Sequence, residues 1–481
     1  MRLPSRRTRL IAVALVVAGA ATTSGSATGA VAVGQTPTPG IACDKGSLPE
    51  KTQGRAPLSD VASGRYAKGY TCNATEISHF GTRGGYRVER YVDKAGHECA
   101  YYDSTLLFPK DPAYQGTDGP GTYVMDMSDP AHPVHTDTLR TFAFDSPHES
   151  VRLNQARGLI VADAANPASY PGVVDIFDVT ADCRHPALVS STPLGILGHE
   201  GGFAPDGKTF YVASLYAHTL AAVDLTNPQV PTIAWFTYDY SSHGVSISED
   251  GNTLYMAENA FSSGFSGLTI LDVSQVQKRV VNPTVPIISR LTWPTSSTPQ
   301  NATPFTEKGH PYLMEIDEFG SGATIGAGRI IDIANPKKPF VVSDLRLAVN
   351  AEKAQGADLE ADPGNSQQFQ GYQGHYCTLP SRIDPTTIAC SFIMSGLRVF
   401  DITKINKPVE IAYFNKPVPP SVPKQAEPAV VVGSFAMSAP AYDEATGDIW
   451  YSDGNSGFYV VRLTGAAART RFAGKTHLPG N

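Results

Sequence analysis

The feature that most constrains this 481-residue chain is a short apolar strand that recurs along it and ends six times in aspartate. The copies are Tyr123-Val124-Met125-Asp126, Val174-Asp175-Ile176-Phe177-Asp178, Ala222-Val223-Asp224, Thr269-Ile270-Leu271-Asp272, Arg329-Ile330-Ile331-Asp332 and Arg398-Val399-Phe400-Asp401. A seventh, Tyr459-Val460-Val461-Arg462, has arginine at the last place. Successive copies lie 46 to 69 residues apart. A strand with apolar residues on both faces needs a packing partner on each side. Its closing aspartate can accept backbone N–H bonds in the turn that follows, and several copies continue into Asx-Pro, which fixes that turn. Upstream lie hairpin signals, Asp206-Gly207 and Asp250-Gly251, between apolar runs. Each unit therefore reads as four antiparallel strands, the size of one propeller blade. The fold class predicted is all-β, a seven-bladed β-propeller of four-stranded antiparallel blades. The last copy has no outer strand after it, whereas Ala74–Phe80 resembles the outer strand Val409–Phe414. The N-terminal strand is expected to join the last blade and so remove the open sheet edges.

The ends and the charge bound the context. Arg2, Arg6, Arg7 and Arg9 precede the apolar run Leu10–Ala20, and Ala30-Val31-Ala32 offers a small-residue cleavage site. That order is a signal peptide over residues 1–32, and Ser5-Arg6-Arg7 resembles a twin-arginine export signal. The run is too short to cross about 30 Å of hydrocarbon, so the mature chain is expected to be secreted, without a membrane span. Loss of the four arginines moves the net charge from −7 to about −11. So acidic a chain has no general attraction for phosphate backbones, which excludes nucleic acid as a partner. Six cysteines, an even number, favour disulfides in an exported protein. Cys377 and Cys390 flank a turn containing Pro380 and Asp384-Pro385 and are expected to pair; the other pairings stay open. The remaining organisation reads as an N-terminal extension over 33–71, the propeller over 72–464 and a tail over 465–481. With its copies in register over that span, the chain resembles the bacterial LVIVD-repeat proteins. The resemblance implies a secreted propeller and carries no established activity.

Candidate chemistry sits where the innermost strand of each blade begins, beside the central channel. Counting back from the next strand gives His148-Glu149 in blade two, His199-Glu200 in blade three, His243 in blade four and His375 in blade six. Blade five offers Asn301 and blade seven Ser438, whereas blade one has no histidine there. If that address faces the channel, four imidazoles approach one axis, and neutral imidazole suits Zn, Cu and Fe. Glu149 and Glu200 are then candidates to orient the rings. The arrangement resembles the metal sites of carotenoid oxygenases. The competing reading is that each ring simply bonds backbone carbonyls at the blade entrance. Two functions follow. One is a module that binds a protein, glycan or small molecule through its channel mouth and top loops. The other is a metal-dependent, oxidase-like enzyme centred on His148, His199, His243 and His375. A metal-free hydrolase would need a carboxylate and Asn cluster, for which Glu149, Glu200 and Asn301 are the available groups. Candidate loops are 103–121, 294–309 and 348–374, with Pro417–Pro428 as an extended crossing.

Overall fold

The computed structural model describes residues 36–104, 121–163, 172–215, 217–260, 264–320, 325–351, 354, 371–417, 433–443 and 445–470. The signal segment 1–32, most of 103–121, 348–374 and Pro417–Pro428, and residues 471–481 lie outside them.

Seven antiparallel sheets form the seven blades of a β-propeller. Their innermost strands are Val88–Val92, Arg152–Asn154, Glu200–Phe203, Ser242–Ile247, Thr298–Glu307, Gly374–Thr378 and Ala441–Tyr442. The recurrent strand is the third in each blade. It is buried along its length and only its final aspartate is half-exposed. Each of the six aspartates accepts the backbone N–H two residues on, at 2.7 to 2.9 Å. These are Asx turns, which supply the chain reversal with a local hydrogen bond that any blade can use. Arg462, in the aspartate's place, instead donates twice to Asp448, both at 2.7 Å.

Each blade interface has its own hydrophobic cluster, because the third strands are apolar on both faces. Leu159, Val161 and Ile176 of blade two meet Phe210, Val212 and Val223 of blade three. Tyr102, Tyr123 and Met125 of blade one meet Trp450, Phe458 and Val460 of blade seven. The other five interfaces are built the same way. Ala74–Phe80 pairs antiparallel with Gly457–Leu463 and completes blade seven, so the ring closes through the N-terminal strand as expected.

Part of the segment before it is also built in. Tyr70–Cys72 adds a fifth strand to the outside of blade six. Glu50 accepts both Nη groups of Arg398 there, at 2.7 and 2.8 Å. The six cysteines form three disulfides, Cys43–Cys72, Cys99–Cys183 and the expected Cys377–Cys390. Among the described residues no helix is long and apolar enough to cross a membrane.

Candidate metal centre

The inner strands start around one axis, and their first residues carry the site. Blade two supplies His148 and Glu149 just ahead of its inner strand, and blade three His199 and Glu200. Blade four supplies His243, blade five Gln300 and Asn301, and blade six His375 and Tyr376. His148 has φ +53°, in the left-handed region that few side chains other than Asn, Asp and His adopt. Such an outlier survives only where its surroundings hold it, and it turns this residue within reach of the other rings. The ring centroids of His148 and His199 are 4.3 Å apart, and those of His199 and His243 4.8 Å. All four histidines are buried, none more than 6% exposed.

Glu149 lies among them. Its Oε1 is 3.0 Å from His375 Nε2 and 3.9 Å from His148 Nδ1. Its Oε2 is 3.5 Å from His199 Nε2 and 3.8 Å from His243 Nε2. Oε2 also accepts Tyr376 OH at 2.9 Å and Gln300 Nε2. Glu318 comes in from the second strand of blade five, 3.5 Å from His375 Nε2 and 3.7 Å from His243 Nε2. Ligand atoms of His148, Glu149 and His199 all lie within 4.8 Å of one another. Two donors on one metal ion, at about 2.0 to 2.2 Å each, stand at most about 4.4 Å apart. In a tetrahedral site such donors stand about 3.4 Å apart, so the cluster would draw in by about an ångström to share an ion.

The proton positions follow from the neighbours. His243 Nδ1 is 2.8 Å from the Pro299 carbonyl oxygen and His375 Nδ1 is 2.6 Å from that of Met437. A carbonyl only accepts, so each Nδ1 carries hydrogen, and a neutral ring keeps its lone pair on Nε2. Burial holds His148 and His243 down at about 4 and pushes His199 well below its ordinary value, so these three rings are neutral near pH 7. Burial pushes the Glu149 carboxyl up, and positive charge on the surrounding rings of His199, His148 and His375 pulls it well down. Glu318 is driven well above the usual carboxylate range by burial and then by the Glu149 charge. The centre thus crowds neutral rings and two buried carboxyl groups around one point, where a positive charge would be favoured.

The other expected residues divide. Glu200 does not orient a ring. Its Oε1 accepts Arg87 Nη2, Arg152 Nη2 and, at 2.8 Å, Asn301 Nδ2, and its Oε2 accepts the Val245 N–H at 2.8 Å. Burial pushes this carboxyl up and Arg87 pulls it down; four donors and no acceptor hold it as the carboxylate. A Cβ on Gly244 would overlap the same carboxylate, which is why glycine follows His243. Ser438 belongs to blade seven's own bonding, its Oγ accepting the Ser452 N–H at 2.8 Å. Sequence reasoning missed Gln300, Tyr376, Arg87 and Glu318. One signal points to Glu318: five of the seven second strands end in an acidic residue, namely Asp103, Asp163, Glu258, Glu318 and Asp453.

The fold and this buried cluster define the class: an all-β propeller with a histidine and glutamate centre on its axis. No family model and no curated protein matches the chain. Solved structures of similar fold include the hydrazine synthase of Kuenenia stuttgartiensis, at 12% identity and a TM-score of 0.49, covering 80% of this chain and 97% of that one. The periplasmic gluconolactonase of Pseudomonas aeruginosa is another, at 13% identity and a TM-score of 0.44, covering 76% and 97%.

Proposed function

We propose that this chain is an exported metalloprotein whose propeller axis holds one transition metal, Cu, Fe or Zn, as the centre of a metal-dependent enzyme. His148, His199, His243 and His375 are its nitrogen donors and Glu149 its oxygen donor, a set that suits these metals. One observation carries the reading. His243 and His375 each fix Nδ1–H on a carbonyl and aim Nε2 at the oxygens of Glu149 and Glu318. A divalent cation among these groups would take lone pairs from the rings and be balanced by the Glu149 carboxylate. The carbonyl bonds also set ring tautomer and angle, as outer partners of ligating histidines do. Export is supported by the three disulfides and the absence of a free cysteine. Membership among the LVIVD-repeat proteins is supported by the six Asx-turn strands.

Elemental analysis of protein purified without chelator or affinity metal tests the proposal. The expected result is one equivalent of Cu, Fe or Zn per chain, lost in the His199→Ala, His243→Ala double variant. Metal-free protein whose thermal midpoint ignores added Cu, Fe and Zn would overturn it.

A further inference from the structure

A second feature lies beside Arg87 and Arg152, the two arginines that hold Glu200. Residues in and beside the inner strands of blades one, two, six and seven line a half-open cavity of about 540 Å3. That is room for a small organic molecule. Much of its wall is apolar, with Tyr91, Leu153, Leu379 and Tyr442 among the lining residues. Val92, 41% exposed, belongs to the same wall.

Arg87 and Arg152 also line it, each 4% exposed. Their Nε atoms donate to the carbonyl oxygens of Glu149 and Gly201, and their Nη2 atoms both donate to Glu200 Oε1. Nη1 of each has no hydrogen-bond partner among the described residues. Two guanidiniums thus converge on one carboxylate oxygen beside the cavity. Arg90, on the same wall, is already matched by Glu98 and by Asp443 at 3.4 Å. Burial pushes the carboxyl of Glu89, on the same wall, up to about 8 although Arg87 lowers it. A guanidinium donor buried beside apolar walls is the usual means of recognising a carboxylate.

We propose that this cavity binds a small organic monocarboxylate, held by Nη1 of Arg87 and Arg152 with its apolar body against Tyr91, Leu153, Leu379 and Tyr442. The site adjoins the proposed metal centre, because Arg87 Nε donates to the Glu149 carbonyl oxygen.

Benzoate is the test probe. The full mature chain is titrated calorimetrically with benzoate and with benzamide, its uncharged analogue, and metal content is measured on the same sample. Benzoate is expected to bind once per chain and benzamide about tenfold more weakly or worse. Arg152→Gln is expected to weaken benzoate binding about tenfold. Ala439→Phe, which fills space in the cavity and leaves both arginines, is expected to abolish it. Benzoate that does not bind, binds no more tightly than benzamide, or binds unchanged in both variants overturns the proposal. Should either variant fail to fold, the comparison of the two probes on the unaltered chain decides alone. Benzoate binding by metal-free protein upholds this site while removing the metal reading.

Discussion

Asp224 accepts the Thr226 N–H and Arg279 Nη2, each at 2.8 Å. Burial raises its carboxyl, but Arg279, then Thr226, lower it to about 2. A carboxylate held below its unfolded value stabilises the fold above that value, and the contribution is lost as pH falls through the folded one. Asp224→Asn keeps the Asx turn and removes the charge. The gap in thermal midpoint between the unaltered chain and this variant is expected to be largest near pH 5 and to close toward pH 2. A gap that stays constant across that range would refute the assignment. The same repeated residue made the fold readable, since six copies of one local hydrogen bond reinforce one another. The site was readable only where it shared that periodicity. The four histidines stand at a counted address, whereas Gln300, Tyr376 and Arg87 meet Glu149 and Glu200 across blades, with no local pattern to announce them. Ser438 shows the converse: the right address, with a hydroxyl committed to Ser452.

At the level of elements, the disulfides differ in what they join. Cys99–Cys183 spans 84 residues and ties the second strand of blade one to a turn of blade two. Cys377–Cys390 spans 13 residues within one hairpin of blade six. Loop-closure entropy makes the first worth about 4.6 kcal/mol and the second about 2.9 kcal/mol. Replacing the first pair with serine is therefore expected to lower the unfolding free energy by about 1.7 kcal/mol more than replacing the second. Denaturant midpoints at unchanged slope read this difference, and equal losses would count against it. The hairpin pair was legible because its partners flank one turn. The two longer pairs were not, because Cys183 meets Cys99 between two blades and Cys43 meets Cys72 across 29 residues, with no single turn to bring either pair together.

For the molecule as a whole, seven interfaces of similar make leave one seam that matters differently. Blades one and seven meet through Tyr102, Tyr123, Trp450 and Phe458, and Ala74–Phe80 bonds blade seven along its outer edge. A chain lacking residues 36–80 bares the edge of Gly457–Leu463, and exposed edges invite further strands. It is expected to elute as larger species than the unaltered chain and to lose its single cooperative unfolding transition. The Cys43→Ser, Cys72→Ser variant, which keeps the strand, is expected to elute normally. Equal elution of the truncated and intact chains would show that the seam holds without it. The order of synthesis gives this closure a further meaning. The segment that leaves the ribosome early is needed by the sheet that leaves it late, so the growing chain stays unfinished at both ends until the final blade emerges, and the circle shuts only after translation is nearly complete.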